Sequence, residues 1–334
     1  MTVRLRHVRT LRVGRPSAPG RGAFISAASG LVAAGPWLYV IADDEFHLGA
    51  FGGTGNRPGS LVRLLPGTLP GGRKKRKAQK ADFEVLTLLP RFAGFPHGAL
   101  LAMGSGSRPS RRLGVVVPLD QAGAISGDAQ TIDLSRLYRA LGDKLGEVNV
   151  EGAVVLGAQL CLLNRGHPQR GGSAVVRVSL RAAQRDIARH GVVGALRCRV
   201  HRFDLGQADG VPLGFTDGAA LPDGRLVFCA VAERADDSYQ DGPCVAAAVG
   251  MIGADGNLEW IRTLSRPHKV EGIAVRRDGR LLLVTDADDA RVPAGLYSAT
   301  LPVARVTPAG AGAATPRRIA GSRRRATHPS GLQH

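Results

Sequence analysis

Four acidic residues, Glu84, Glu151, Asp217 and Glu271, recur along the chain in one local setting, each at the start of a short apolar run. A second set follows at the ends of the next apolar runs: Asp43-Asp44-Glu45, Ser105, Asn164-Arg165, Glu233 and Asp286. Carboxylates brought together in a narrow space repel one another unless they are protonated, paired with Arg or Lys, or bound to a cation. A hard ion such as Ca²⁺ takes oxygen ligands of this kind, and Asn164 can add an amide oxygen. A divalent ion held there would polarise an ester, lactone or phosphoester and activate water. The predicted metal-ligating set is therefore Glu151, Asn164, Asp217, Glu271 and Asp286. Asp44, Glu84, Ser105, Arg165 and Glu233 form the predicted ligand-binding surround. The same acids can instead staple strands together through backbone N–H groups, with Lys269, Arg165, Arg234 and Arg291 near enough in sequence to pair with them.

Other motifs are weaker. Asp237-x-x-x-Asp241-Gly242 looks like a fragment of a calcium loop, but Tyr239 and Ala248 stand where an EF-hand needs oxygen ligands. Gly104-Ser105-Gly106-Ser107, followed by Arg108, Arg111 and Arg112, is a polar loop able to approach an anion or simply to connect strands. His97 has no Cys or spaced His beside it. The chain contains neither a G-x-S-x-G nucleophile elbow nor a P-loop.

The elements that carry these residues follow from an internal repeat. The clearest copy is Glu271-Gly272-Ile273-Ala274-Val275, a turn at Asp278-Gly279, then Leu281 to Asp286. Others start at Asp217, with a turn at Asp223-Gly224, and at Glu151, Glu84 and Ser29, so that successive starts are 54 to 67 residues apart. That interval holds four short strands, and third and fourth strands are predicted at 46–51 and 60–65, 113–119 and 129–134, 174–180 and 198–205, and 244–252 and 258–264. The last unit supplies only 295–301, and residues 3–13 can provide its missing outer strand from the other end of the chain. Two short helices are predicted at 133–145 and 180–190. The expected fold is all-β: a five-bladed β-propeller closed by an N-terminal outer strand, with six blades as the alternative. Its divisions are a basic N-terminal segment over 1–24, the propeller over 25–302 and a disordered basic tail over 303–334. Strand direction alternates within a blade, so first-strand starts and second-strand ends share one face around the central channel. The Asp-Gly turns at 223–224, 255–256 and 278–279 fall on the other face.

The formal charge of +18 is concentrated in residues 1–21, 73–80 and 317–325, which hold six, six and five Lys or Arg and no acid. It is thus assigned to two tails and one loop, not to a folded face, and aromatic residues are only 4%. Specific nucleic-acid binding is not expected. Cys161, Cys198, Cys229 and Cys244 show no C-x-x-C spacing and read as free thiols of a reduced, cytoplasmic protein. There is no apolar stretch of signal-peptide or membrane-span length. A monomer acting on a small-molecule ligand is expected.

Taken together, the stretches EFHLGAF, ADFEVLTLLP, LLAMGSGSRPSRR, NVEGAVV, GFTDGAALPDGRLVFCAVAE, DSYQDGP and KVEGIAV with LLLVTDADD resemble a family of bacterial β-propeller proteins that has no established activity. The repeated E-G starts are more distantly similar to esterase-like phytases and to the gluconolactonase group. In the latter, a Glu, an Asn and an Asp at the channel mouth bind a divalent metal. The resemblance implies Glu151 or Glu271, Asn164, and Asp217 or Asp286 as counterparts here, while Ser29 replaces the group's first metal-binding Glu. The implied function is metal-assisted hydrolysis of a small ester, lactone or phosphoester. The alternatives are a non-catalytic binder of a small ligand or sugar, and a protein-interaction platform.

Overall fold

A computed structural model of the chain describes residues 2–166, 172–234 and 242–301. The predicted calcium-loop fragment at 237–241 and the predicted tail at 303–334 lie outside them.

Five four-stranded antiparallel sheets follow the repeat. Blade 1 comprises Ala28–Ala34, Trp37–Ala42, His47–Gly52 and Ser60–Arg63, and blade 2 comprises Phe83–Leu89, Ala99–Gly104, Leu113–Pro118 and Gln130–Asp133. Blade 3 is built from Val150–Leu156, Gln159–Asn164, Ser173–Ser179 and Cys198–Phe203, and blade 4 from Gly214–Ala220, Leu226–Glu233, Cys244–Ile252 and Leu258–Thr263. Blade 5 has Val270–Val275, Arg280–Thr285 and Gly295–Thr300, and its outer strand is Arg6–Thr10. Each first strand packs against those of its two neighbours, and the ring closes from blade 5 to blade 1.

Both faces of each sheet are covered, which is why the strands read as short continuous apolar runs with little alternation. The core is accordingly five inter-blade layers. The N-terminal segment contributes to two of them: Val3 lies between blades 4 and 5, and Leu11 and Val13 lie between blades 5 and 1.

Both predicted helices are present. Helix α2 (Ser135–Leu145) buries Leu137, Tyr138, Leu141 and Leu145, and the Tyr138 hydroxyl donates to the Gly104 carbonyl. Helix α3 (Leu180–His190) is capped by the Ser179 hydroxyl, which accepts from the Ala182 N–H at 3.2 Å, and it ends at Gly191. A third helix, α1 (Arg73–Gln79), replaces the predicted basic loop. Arg, Lys, Ala and Gln are good helix formers, and two of the basic groups, Arg76 and Lys80, are buried. Arg9 is buried as well, donating to the carbonyls of Gly52 and Gly55 at 2.7 and 2.9 Å. The basic segments therefore belong partly to the folded body. Among the described residues no helix is long and apolar enough to cross a membrane.

Each first strand carries a β-bulge near its start. The extra residue is Ser29, Glu84, Glu151, Thr216 and Glu271 in blades 1 to 5. The residue after the bulge lies where the inner strands crowd together, and three blades use Gly30, Gly152 and Gly272 there. A Cβ on Gly272 would stand 2.6 Å from Val284 Cγ2 and 2.9 Å from both the Gly30 carbonyl carbon and the Leu31 nitrogen. The backbone neighbours cannot move without opening the ring. Gly272→Ala is expected to cost about 1–3 kcal/mol, the usual penalty for overpacking, in a denaturant melt. An unchanged midpoint would show that the inner strands have slack.

Candidate functional site

A bulge inserts an unpaired residue and re-aims its side chain, so five bulges at equivalent heights define a ring at the channel mouth. Blades 1 and 4 place hydroxyls in it, and both act as staples. Ser29 Oγ donates to the Phe83 carbonyl, and Thr216 Oγ1 donates to the Val270 carbonyl at 2.7 Å. Blades 2, 3 and 5 place Glu84, Glu151 and Glu271 in it.

Aligning the chain on its Asp-Gly pair sets Asp217 beside these glutamates, but the bulge puts Thr216 there and Asp217 one position later, with the glycines. A one-residue shift in a strand reverses the direction of the side chain. Asp217 is fully buried beside Gly152 at the channel axis, and its Oδ2 accepts the Ile273 N–H at 2.9 Å. Burial holds its carboxyl well above the usual range, against the pull of the Ile273, Gly218 and Leu31 N–H groups. It links blade 4 across the axis to blades 5 and 1.

Around the ring, acids and bases form two groups. In the first, Lys80 pairs with Asp43 and, at 2.8 Å, with Asp82. Asp82 also takes Arg111 at 2.7 Å and the Ser105 hydroxyl at 2.6 Å. Arg111 further donates to Ser107 Oγ at 3.0 Å, so Ser105, Ser107 and Arg111 of the polar loop serve Asp82. Beside them Arg21 pairs with Asp44 at 2.9 Å and Glu45 at 2.8 Å, and Arg76 donates to the Asp44 carbonyl. In the second group, Glu233 joins Arg165 at 2.5 Å to Lys269 at 2.9 Å. Arg165 lies 3.9 Å from Glu151, and Lys269 also reaches Glu271, Asp286 and Asp288. Among the described residues, exposed Arg291 pairs with half-buried Asp289, and His97 is exposed on the other face.

Carboxyl groups outnumber cations here. Asp43, Asp44, Glu45, Asp82, Glu84, Glu151, Glu233, Glu271, Asp286 and Asp288 face Arg21, Arg76, Lys80, Arg111, Arg165 and Lys269. Protons hold part of the excess. Burial, aided by Glu233 and Asp82 and opposed by Arg165 and Lys269, raises Glu151 to about 7. Burial raises Asp286 to about 8, against Lys269, and raises Asp44 to about 6 with help from Asp43. Glu84 and Glu271 are pushed well above the usual range, burial being the largest cause in both. Glu84 is half-buried.

The donor set implied for a divalent ion does not fit one ion. Asn164 Oδ1 accepts the Asn149 N–H at 2.8 Å, and its amide donates to the Glu147 carbonyl at 3.3 Å, so Asn164 pins the loop before blade 3. Asn149 in turn donates to Glu151 Oε1 at 2.6 Å. Asp217 sits at the axis, and Glu271 and Asp286 share Lys269. Among the described residues, the acids whose oxygens come within 4.8 Å of one another as a group of three or more are Asp43, Asp82 and Glu84. Lys80 already pairs with two of these.

The fold and this ring define a β-propeller with an acidic, proton-holding channel mouth. Within that class the chain belongs to the family described as "Family of unknown function (DUF6929)", whose match spans residues 24–301. No curated protein sequence matches it. Similar solved structures include the glutaminyl cyclase of Myxococcus xanthus, 12% identical with a TM-score of 0.45 over 89% of this chain and 97% of the other. A luciferin-regenerating enzyme is 11% identical with a TM-score of 0.43 over 84% and 92% of the two chains. A candidate gluconolactonase is 13% identical with a TM-score of 0.37 over 89% and 97%.

Proposed function

We propose that the mouth, with the groove opening from it on blade 5, binds a small polar molecule carrying an amine or several hydroxyl groups. The groove carries this reading. It measures about 700 Å³ and is lined by His7, His268 and Tyr297 toward the outside and by Lys269, Asp286 and Asp288 toward the ring. That volume lies within the roughly 300–1,000 Å³ of small-molecule sites. Tyr297 stands edge-on to His7 with ring centroids 5.3 Å apart and lies 4.9 Å from His268, offering a ring surface beside a charged end. A cationic amine would replace protons on the raised carboxyls, so its affinity should climb between pH 6 and pH 8 as Glu151 and Asp286 ionise.

A screen of small amines, amino sugars and polyols by thermal shift, followed by calorimetry, tests the site. Asp286→Asn is expected to weaken a hit by about tenfold or more, the scale of one charge-assisted hydrogen bond. Tyr297→Ala should weaken ring-bearing hits selectively. Hits indifferent to both changes, or the lack of any hit, would sink the proposal.

One observation favours a second reading, hydrolysis of a small ester, lactone or phosphoester. Glu151, raised to about 7, can give or take a proton near neutral pH, and Arg165, at 3.9 Å, can stabilise a developing oxyanion. Turnover of a bound ester that disappears in Glu151→Gln would support it, and binding without turnover would leave the binder.

A further inference from the structure

We propose that the outer flank of blade 3, together with helix α2, is a docking surface for the phosphate backbone of double-stranded nucleic acid, read without regard to sequence. Outside residues 1–21, 73–80 and 317–325 the formal charge is close to zero, yet ten of the carboxyls are drawn together at the mouth. The bases that balance them lie elsewhere, and this flank holds many of them. Residues 180–203 carry six Arg and a single acid, Asp186, which is engaged by Arg185 at 3.3 Å and by the Gly194 N–H at 3.0 Å. Three hydrogen bonds join this segment to blade 2 and α2 in one surface. The Asp133 N–H donates to the Gly191 carbonyl and the Val193 N–H to the Asp133 carbonyl, both at 2.9 Å, and Arg202 donates to the Lys144 carbonyl at 3.0 Å. Arg136 and Arg139 of α2, Arg189 at the end of α3, and Arg197, Arg199 and Arg202 at the outer strand of blade 3 are all exposed there.

The protein does not neutralise this charge itself. Arg177 and Arg199 are direct partners in neighbouring strands of blade 3, so two guanidinium groups stand side by side on one face of the sheet, an arrangement that repels. Arg177 Nε is buried without a hydrogen-bond partner, and among the described residues neither Arg177, Arg197 nor Arg199 has an ion pair. At the mouth, by contrast, Arg21, Lys80, Arg111, Arg165 and Lys269 are each matched by a carboxylate. An anion laid across the flank would relieve the repulsion that the fold leaves in place.

The chemistry of the flank selects the partner. The exposed large hydrophobic side chains of the described residues are Val8, Leu88, Leu258 and Val292, and none lies in α2, α3 or the outer strand of blade 3. A protein partner anchors on apolar and aromatic groups at the centre of its interface, and a helix lying in a membrane surface buries an apolar face. Single-stranded nucleic acid stacks its bases on aromatic rings, whereas the rings at this strand, His201 and Phe203, stack on each other with centroids 4.4 Å apart. Charge without apolar contact fits a duplex, which presents one phosphate charge per about 1.7 Å of its axis. The planar guanidinium fork matches phosphate oxygens. None of the six exposed arginines lines the groove on blade 5, so duplex binding is separable from ligand binding at the mouth.

The test uses the full-length chain with the five Arg of residues 317–325 changed to Gln, so that this basic run cannot bind in place of the flank. Its binding to a fluorescent 20-base-pair DNA duplex of arbitrary sequence is followed by anisotropy between 50 and 200 mM NaCl. The logarithm of the affinity is expected to fall against the logarithm of salt with a slope of about −3 to −5, about 0.9 for each phosphate contacted. Changing Arg136, Arg139, Arg197 and Arg199 together to Gln should weaken binding at 50 mM at least tenfold and flatten the slope. Changing four exposed arginines elsewhere, Arg57, Arg91, Arg277 and Arg280, removes the same charge and should cost less than threefold. Arg199→Gln alone removes the repulsion with Arg177, so it should melt no lower than its parent while still weakening binding about threefold. A chain that ignores the duplex at 50 mM NaCl overturns the proposal, and so does equal loss in the two fourfold variants. Tighter binding to the matching single strand, to vesicles of acidic phospholipid or to polyglutamate would overturn it as well, by assigning the flank to another polyanion.

Discussion

Removal of residues 2–14 is expected to abolish cooperative folding. This segment supplies the outer strand of blade 5 and also fastens the blades on either side. Val3 exchanges backbone hydrogen bonds with Thr263 and Ser265 at the end of blade 4, each 2.9 Å long. Gly14 donates to the Gly59 carbonyl and Gly59 donates to the Arg12 carbonyl, so the other end of the segment is tied into blade 1. Leu11 donates to the Ala294 carbonyl and accepts from the Ile25 N–H. Val3, Leu11 and Val13 are 6%, 1% and 4% exposed. At about 1.5–3 kcal/mol for each buried aliphatic side chain, the loss of these three alone is of order 4.5–9 kcal/mol. That rivals the roughly 5–15 kcal/mol that holds a whole domain folded. The exposed edge of Gly295–Thr300 would also invite association. Circular dichroism melts and size-exclusion chromatography of the truncated protein check this, and a synthetic peptide of residues 2–14 added in trans should restore part of the transition. A truncated protein that melts within a few degrees of the intact one would show that the ring is closed by something else.

The blades were legible because each repeats a polar start, an apolar strand, a turn and a second apolar strand at intervals of 54 to 67 residues, and Asp223-Gly224 and Asp278-Gly279 mark two of those turns plainly. The closing strand was legible as a deficit: the last unit lacked a strand and the N-terminus had one to spare. The bulges were not legible, since they are a property of how two strands pair. The pair Asp217-Gly218 imitates Glu271-Gly272 in sequence while lying one residue out of register with it. The cations were half visible. Lys269 and Arg165 sit beside the acids in sequence, whereas Arg21, Arg76 and Lys80 were read as solvated charge because they occur in basic runs. Lys80 precedes Glu84 much as Lys269 precedes Glu271, and that parallel was the one available sign. Gathering ten carboxyls at a channel mouth, most of them buried or half-buried, demands partners, so basic residues flanking the first strands are where such partners should be sought.

The network also sets how the protein should respond to losing its most heavily shared acid. Glu233→Gln is expected to destabilise the fold by about 3–5 kcal/mol, the usual result of leaving buried cations short of a partner. Glu233 is ion-paired with Arg165 at 2.5 Å and Lys269 at 2.9 Å. Burial opposes its ionisation, but Arg165 and Lys269 together hold its carboxyl below the ordinary value. Its pairing therefore stabilises the fold above the unfolded carboxylate pKa near 4.5 and is lost as pH falls through the lower folded value. Glu151 has the opposite sign. Raised to about 7, it costs nothing in acid and increasingly opposes folding as pH rises from about 4.5 to about 7. Glu233 is one of the charges that keeps Glu151 protonated, and Arg165, 3.9 Å from Glu151, is the cation that would turn to it once Glu233 is gone. In Glu233→Gln the Glu151 midpoint, followed by carbon-13 NMR of labelled glutamate, should therefore move down from about 7. Ionised Glu151 then takes over part of the lost pairing, so the stability loss should be larger at pH 6 than at pH 8. An equal loss at both pH values, or a Glu151 midpoint that stays or rises, would mean that Glu151 and Glu233 titrate independently although both lie beside Arg165.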